Sequence, residues 1–178
     1  KTVTALNGTV FVGLGDSGNG QSVRFIEFTS DTAYRISDSA RGGKRGYNGN
    51  IEQRNDGKNG YTIDSSISLV NLSVNDVAVT VLPHAPIDAD TGLPVPTIAV
   101  ATDGGVSVIK DDGSVVDITG YSYSVGWINI DDKGNMFSRG VWAQEAVVFP
   151  MPTSDATLVS LGFQRITGTT TPAFSSSS

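Results

Sequence analysis

Cysteine is absent from this 178-residue chain, and histidine occurs once. The first absence removes disulfides, thiolate nucleophiles and zinc-thiolate sites together, and leaves the compartment open. With one imidazole, His84 in LPHAPID, a Ser-His-Asp triad has a single candidate base, and no G-x-S-x-G elbow accompanies it. A lone histidine between prolines reads as an exposed or structural residue. Long apolar runs are missing too: no stretch reaches the eighteen or so residues of a membrane helix, and KTVTALNG has no signal-peptide core. Glu is scarce beside Asp, and no extended segment repeats apolar residues at i, i+3, i+4 and i+7, so almost no helix is expected. Net charge is −6 and the sequence pI about 4.5, which argues against a nucleic-acid partner.

What is present is β-grammar. In TIAVATDGGVSVIKDDGSVVDIT, residues 97 to 119, Ile98 and Val100 alternate with Ala99 and Ala101, and Val106 and Val108 alternate with Ser107 and Ile109. Asp103-Gly104-Gly105 and Asp111-Asp112-Gly113 turn the chain between the runs, with Gly104 and Gly113 as candidates for positive φ. The small residues Ala99 and Ala101 would let a second sheet approach closely. A 38% hydrophobic content suits one domain with a real core.

Candidate strands are Thr9–Leu14, Ser22–Phe28, Ala33–Ser37, Ser66–Val70, Asp76–Leu82, Thr97–Thr102, Val106–Lys110, Val115–Thr119, Val125–Ile130, Asn135–Arg139, Ala146–Met151 and Thr157–Phe163. The Gly-, Asn- and Pro-rich segments 41 to 60 and 83 to 96 are expected to be surface connections. Arg41, Lys44, Arg45, Arg54 and Lys58 give the first of these a local excess of positive charge, suited to solubility, to an anionic glycan or to an acidic neighbour. The strand-turn layout beginning at Val10 recurs at Ile98, a separation of roughly two units of the 40 to 45 residues of a propeller blade. The expected fold is therefore all-β, with antiparallel four-stranded sheets in a β-propeller-like arrangement of about three blades over residues 1–165. A β-sandwich is the alternative. Closed propellers use about four to eight blades, so an excerpt of a larger propeller is expected, with a Ser/Thr-rich linker or tail at 166–178.

GWINIDDKGNMFSRG, an apolar run, an acidic turn and a second apolar run, resembles the blade hairpins of NHL-type and related propellers. The central part of the chain, LSVNDVAVTVLPHAPIDADTGLPVPTIAVATDGGVSVIKDDGSVVDITG, resembles the propeller-like segment of large structural proteins of marine bacteriophages, some of which also carry concanavalin-like lectin domains. The resemblance covers a third to a half of the chain. It implies a non-enzymatic virion component, of tail or tail-fibre type, that contacts other virion subunits, copies of itself or a host surface glycan. It offers no catalytic residue to carry over.

Asp88 and Asp90 in IDADTG match the start of a D-x-D-x-D-G calcium loop, although the third acid is missing, and they are the candidate ligands should calcium be a cofactor. Asp16 with Asn19, and Asp131 with Asp132 and Asn135, are further acidic turns; Asp, Asn and Gly serve turns in any case. Tyr121, Tyr123 and Trp142 are candidates for glycan stacking, whereas Trp127, inside VGWINI, is expected to pack between sheets. The other class of function is a carbohydrate-active propeller, hydrolase or lyase. It would require paired carboxylates about 5 to 9.5 Å apart in a central cleft.

Overall fold

The computed structural model describes residues 1–15, 21–54, 60–122, 124–141 and 146–166. Among these, three sheets lie face to face, and each is for the most part a meander of consecutive antiparallel strands. The first contains β1 (Thr2–Leu6), β2 (Thr9–Leu14), β3 (Ser22–Glu27), β4 (Thr32–Ile36), β5 (Lys44–Tyr47) and β6 (Tyr61–Asp64) in chain order. The central sheet contains β7 (Val74–Thr80), β8 (Thr97–Thr102), β9 (Gly105–Ile109) and β10 (Val115–Thr119), and the third contains β11 (Val125–Ile130), β12 (Asn135–Gly140) and β13 (Ala146–Pro150). The chain then returns to the central sheet, where β14 (Ala156–Thr157) runs parallel to β10, before β15 (Gln164–Ile166) pairs with β13. Among the described residues, helix is confined to one turn at Ile51–Arg54 and a 3-10 turn at Ser39–Arg41. Among the described residues no sheet closes on itself.

The fold is thus all-β with antiparallel sheets, as the sequence implies, while the sheets hold six, five and four strands in place of a uniform four. The segment 41 to 60 is not simply a surface connection, because KRGY forms β5 between β4 and β6. Neighbouring strands supply its ladder, so it needs no apolar alternation of its own. Conversely, Ser66–Val70 contributes only an isolated bridge, Asp38 to Leu69, and Thr157–Phe163 is mainly turn.

Alternation explains the layering. Every residue of β8 and β9 is buried. Ile98, Val100 and Ile109 join Phe11, Val23, Phe25 and Ile36 of the first sheet, whereas Ala99, Ala101, Val106 and Val108 join Ile128, Ile130, Met136 and Phe149 of the third. Opposite faces of one strand therefore belong to different cores. Within the first core, the Phe11 and Phe25 rings meet edge to face at 5.3 Å and Phe25 stacks on Tyr34 at 4.3 Å.

The first strands of the three sheets are neighbours: β7 lies against both β1 and β11. Polar groups on β7 join them. A register shift between Val74 and Asp76 marks a bulge. The Asp76 carboxylate accepts from Thr2 Oγ1 at 2.9 Å and from Ile128 N–H at 3.1 Å, so one side chain ties β1 and β11 to β7. The adjacent Asn75 donates to the Val125 carbonyl at 2.9 Å.

The positive φ of the β8–β9 hairpin falls on Gly105 (139°), not on Gly104, while Gly113 takes 82° in the β9–β10 turn. A Cβ at Gly105 would sit 2.1 Å from the Ile118 carbonyl oxygen, whereas a Cβ at Gly113 would meet open space. Gly105→Ala is accordingly expected to destabilise the fold by more than about 3 kcal/mol, combining backbone strain with a clash. Gly113→Ala should cost only the left-handed backbone term, about 1–2 kcal/mol. Chemical denaturation of both variants checks the ordering, and equal losses would contradict it.

Candidate functional site

The first and central sheets leave between them a cleft of about 430 Å³, within the size range of small-molecule sites. Its floor is apolar, with Phe11, Ile36, Ile67, Ile98 and Ile109, and its rim carries Glu27, Ser30, Thr32, Asp88, Thr91 and Asp111. Sheet register places the rim: Glu27 pairs with Thr9 and Thr32 across β2, β3 and β4, on the same face as the core aromatics. The Glu27 carboxylate accepts from Ser30 Oγ at 3.0 Å and Thr32 Oγ1 at 2.7 Å. Burial, then the Glu27 charge and its hydrogen bond, push the Tyr34 hydroxyl well above its usual range. Tyr34 is therefore a neutral donor, and the Lys44 ammonium stands 4.4 Å from its ring.

Residues 86 to 95 close the far side as a strap. Asp88 N–H donates to the Leu93 carbonyl at 2.9 Å, Val95 N–H to Pro86 at 2.8 Å, and Ile87 bridges Pro94. Asn7 in the β1–β2 turn donates to the Pro94 carbonyl at 2.7 Å, fastening the strap to the first sheet. One oxygen of Asp88 accepts from Thr91 N–H at 2.8 Å, Thr91 Oγ1 at 2.9 Å and Asp90 N–H at 3.1 Å. Those bonds hold its carboxyl below the usual aspartate range. Asp112 and Asp131 are lowered in the same way, chiefly by Ser114 and Asn135.

The sequence-derived candidates are therefore dispersed. Asp88 and Asp90 share the strap, with Asp88 serving as its turn acceptor, and no group of three or more acids or histidines suited to a metal occurs among the described residues. The pairing of Asp131 with Asn135 is likewise a turn contact, at 2.8 Å. Tyr123, Trp142, Asp16 and Asn19 lie outside the described residues. Tyr121 packs against the second core and its hydroxyl lies 3.3 Å from Ser138 Oγ. Trp127, expected between sheets, is instead 44% exposed. A register shift between Val125 and Trp127 explains this: the bulge at Gly126 turns Trp127 outward and Ile128 into the core. His84 is exposed, has φ 70° and does not line the cleft. Glu27 and Tyr34 carry no signal in the sequence that marks them as site residues, and Lys44 stands out there only as one charge of the basic segment 41 to 58; cross-strand register brings the three together.

No protein-family model matches the chain, and no curated protein matches it.

The Asp117 carboxyl is raised, first by burial and further by the Asp155 charge, against the lowering effect of its Ser107 hydrogen bond. A raised aspartate stabilises the fold most below its unfolded value, about 3.9, and that contribution fades as pH rises through the folded value. Lowered aspartates act oppositely: their contribution is complete above about 3.9 and is lost as pH falls through the folded value. Carboxyl carbon NMR titration should place Asp88, Asp112 and Asp131 below the unfolded value and Asp117 above it. The reverse order would refute the hydrogen-bond assignments.

Proposed function

We propose that this chain is a non-catalytic binding and assembly module of β-propeller type, an element of a virion tail or fibre or of another extracellular assembly, that holds a glycan in the cleft without turning it over. The observation that carries the reading is the character of the cleft. Its floor is apolar and its rim carries hydroxyls, yet Glu27 and Asp88 are engaged as acceptors by neighbouring hydroxyls and amides. Acid-base hydrolysis needs one carboxyl kept protonated near neutral pH, and a lowered Asp88 is the opposite. Sugars suit such a lining, since their C–H faces cover apolar floor while their hydroxyls exchange hydrogen bonds at the rim.

The propeller reading draws support from the order of the sheets: three consecutive meanders whose first strands, β1, β7 and β11, lie side by side. The phage-like phrasing of residues 72 to 120 supports the virion setting. A carbohydrate-active enzyme is the second reading, favoured by the number of acids around the cleft.

Thr32 is exposed at the cleft rim, so Thr32→Trp should obstruct the cleft and leave the core intact. Calorimetric titration with neutral and uronic-acid oligosaccharides, with and without calcium, is expected to show binding by the wild type that this variant loses. Release of new reducing or unsaturated ends would favour the enzyme instead.

A further inference from the structure

The outer face of the first sheet, opposite the core, is organised in two rows that only the register reveals. One row runs Ala5, Val10, Ile26, Ala33, Tyr47, Tyr61 across all six strands. The next runs Val3, Val12, Arg24, Arg35, Arg45, Ile63. Three arginines thus stand directly side by side on β3, β4 and β5, about 5 Å apart from strand to strand. Like charges in directly opposed positions repel. Among the described residues none of the three pairs with a carboxylate, and the Nε of each is buried without a hydrogen-bond partner. The two rows contain no acid. Glu27 and Asp64 of the same strands fall in the rows of the opposite face.

We infer that this face is a docking surface for another polypeptide whose contact surface is acidic and partly apolar or aromatic. Arginine, tyrosine and exposed aliphatics on one flat patch are the composition of a protein-binding core, where guanidinium groups take carboxylates two-pronged. Val3 is 67% and Ile63 55% exposed, and these aliphatic groups offer little to a polysaccharide, while the Tyr61 ring, 50% exposed, is already covered on one side by the Arg45 guanidinium at 4.8 Å. A net charge of −6 disfavours nucleic acid. A second copy that presents this same face meets the wrong charge, arginine row against arginine row. The arginine row is independent of the cleft and of any glycan it takes.

A random copolymer of glutamate and tyrosine is a suitable probe, compared with polyglutamate, heparin and single-stranded DNA. The whole chain should bind the copolymer more tightly than polyglutamate, more tightly than heparin or DNA, and less tightly as salt rises. Arg35→Gln removes the middle charge and should weaken binding about tenfold or more. It should leave the melting temperature unchanged or raised, because it also relieves repulsion. Arg41→Gln, on the 3-10 turn outside these rows, should bind like the wild type. If Arg35→Gln fails to fold, Arg35→Lys, which keeps the charge and loses the fork, should still weaken binding. Failure of the wild type to bind the copolymer overturns the inference. So does equal or tighter binding of heparin or DNA, or equal binding by the Arg35 variants.

Discussion

Two-sided burial of the β8–β9 hairpin is the constraint on which the other features depend. Because side chains alternate across a strand, TIAVAT gives its larger residues to the core with the first sheet and its alanines to the core with the third. Burying each Val or Ile contributes roughly 1.5–3 kcal/mol, and these strands supply such residues to both cores at once. Loss of either neighbouring sheet would expose one face of a strand that has no polar face to offer water. Asp76 adds direction to that arrangement, since its two carboxylate oxygens reach Thr2 on one side and Ile128 on the other.

A stack of three layers has one middle and two outer faces, and the proposed contacts follow from that inequality. Where the strap of residues 86 to 95 spans the first and central sheets, the gap between them becomes the cleft, lined by Glu27 and Tyr34 among others. The outer faces keep apolar residues that a solvated sheet seldom carries in such number: Val3, Tyr61 and Ile63 on one, Trp127 and Ile166 on the other. The proposed binding in the cleft and the proposed contact through an outer face use separate surfaces of one small fold.

Local chemistry makes the central hairpins legible in the amino-acid sequence alone. Ile98–Thr102 and Val106–Ile109 each alternate, and Asp-Gly turns at 103–104 and 112–113 end them, so their strands match expectation to within a residue or two. Other elements carry no such signal. KRGY becomes a strand only because β4 and β6 flank it, and Ala156–Thr157 only because β10 offers an open edge. Face assignments fail at a bulge: one extra residue at Gly126 turns Trp127 outward and Ile128 inward. The site is hidden for a related reason. Arg24, Arg35 and Arg45 look unrelated in sequence, and charge counting points to residues 41–58 instead, where Arg45 faces outward and Lys44 lies over Tyr34 on the inner side.

Native-state hydrogen exchange, resolved by peptide, tests the central claim most directly. Amides of β8 and β9, residues 97–102 and 105–109, should exchange most slowly in the chain, at rates set by global unfolding, because both faces of those strands are covered and each is flanked by a strand on both edges. Faster exchange there than in β2–β3 or β12–β13 would show that the central sheet is not the shared core, and would contradict the account.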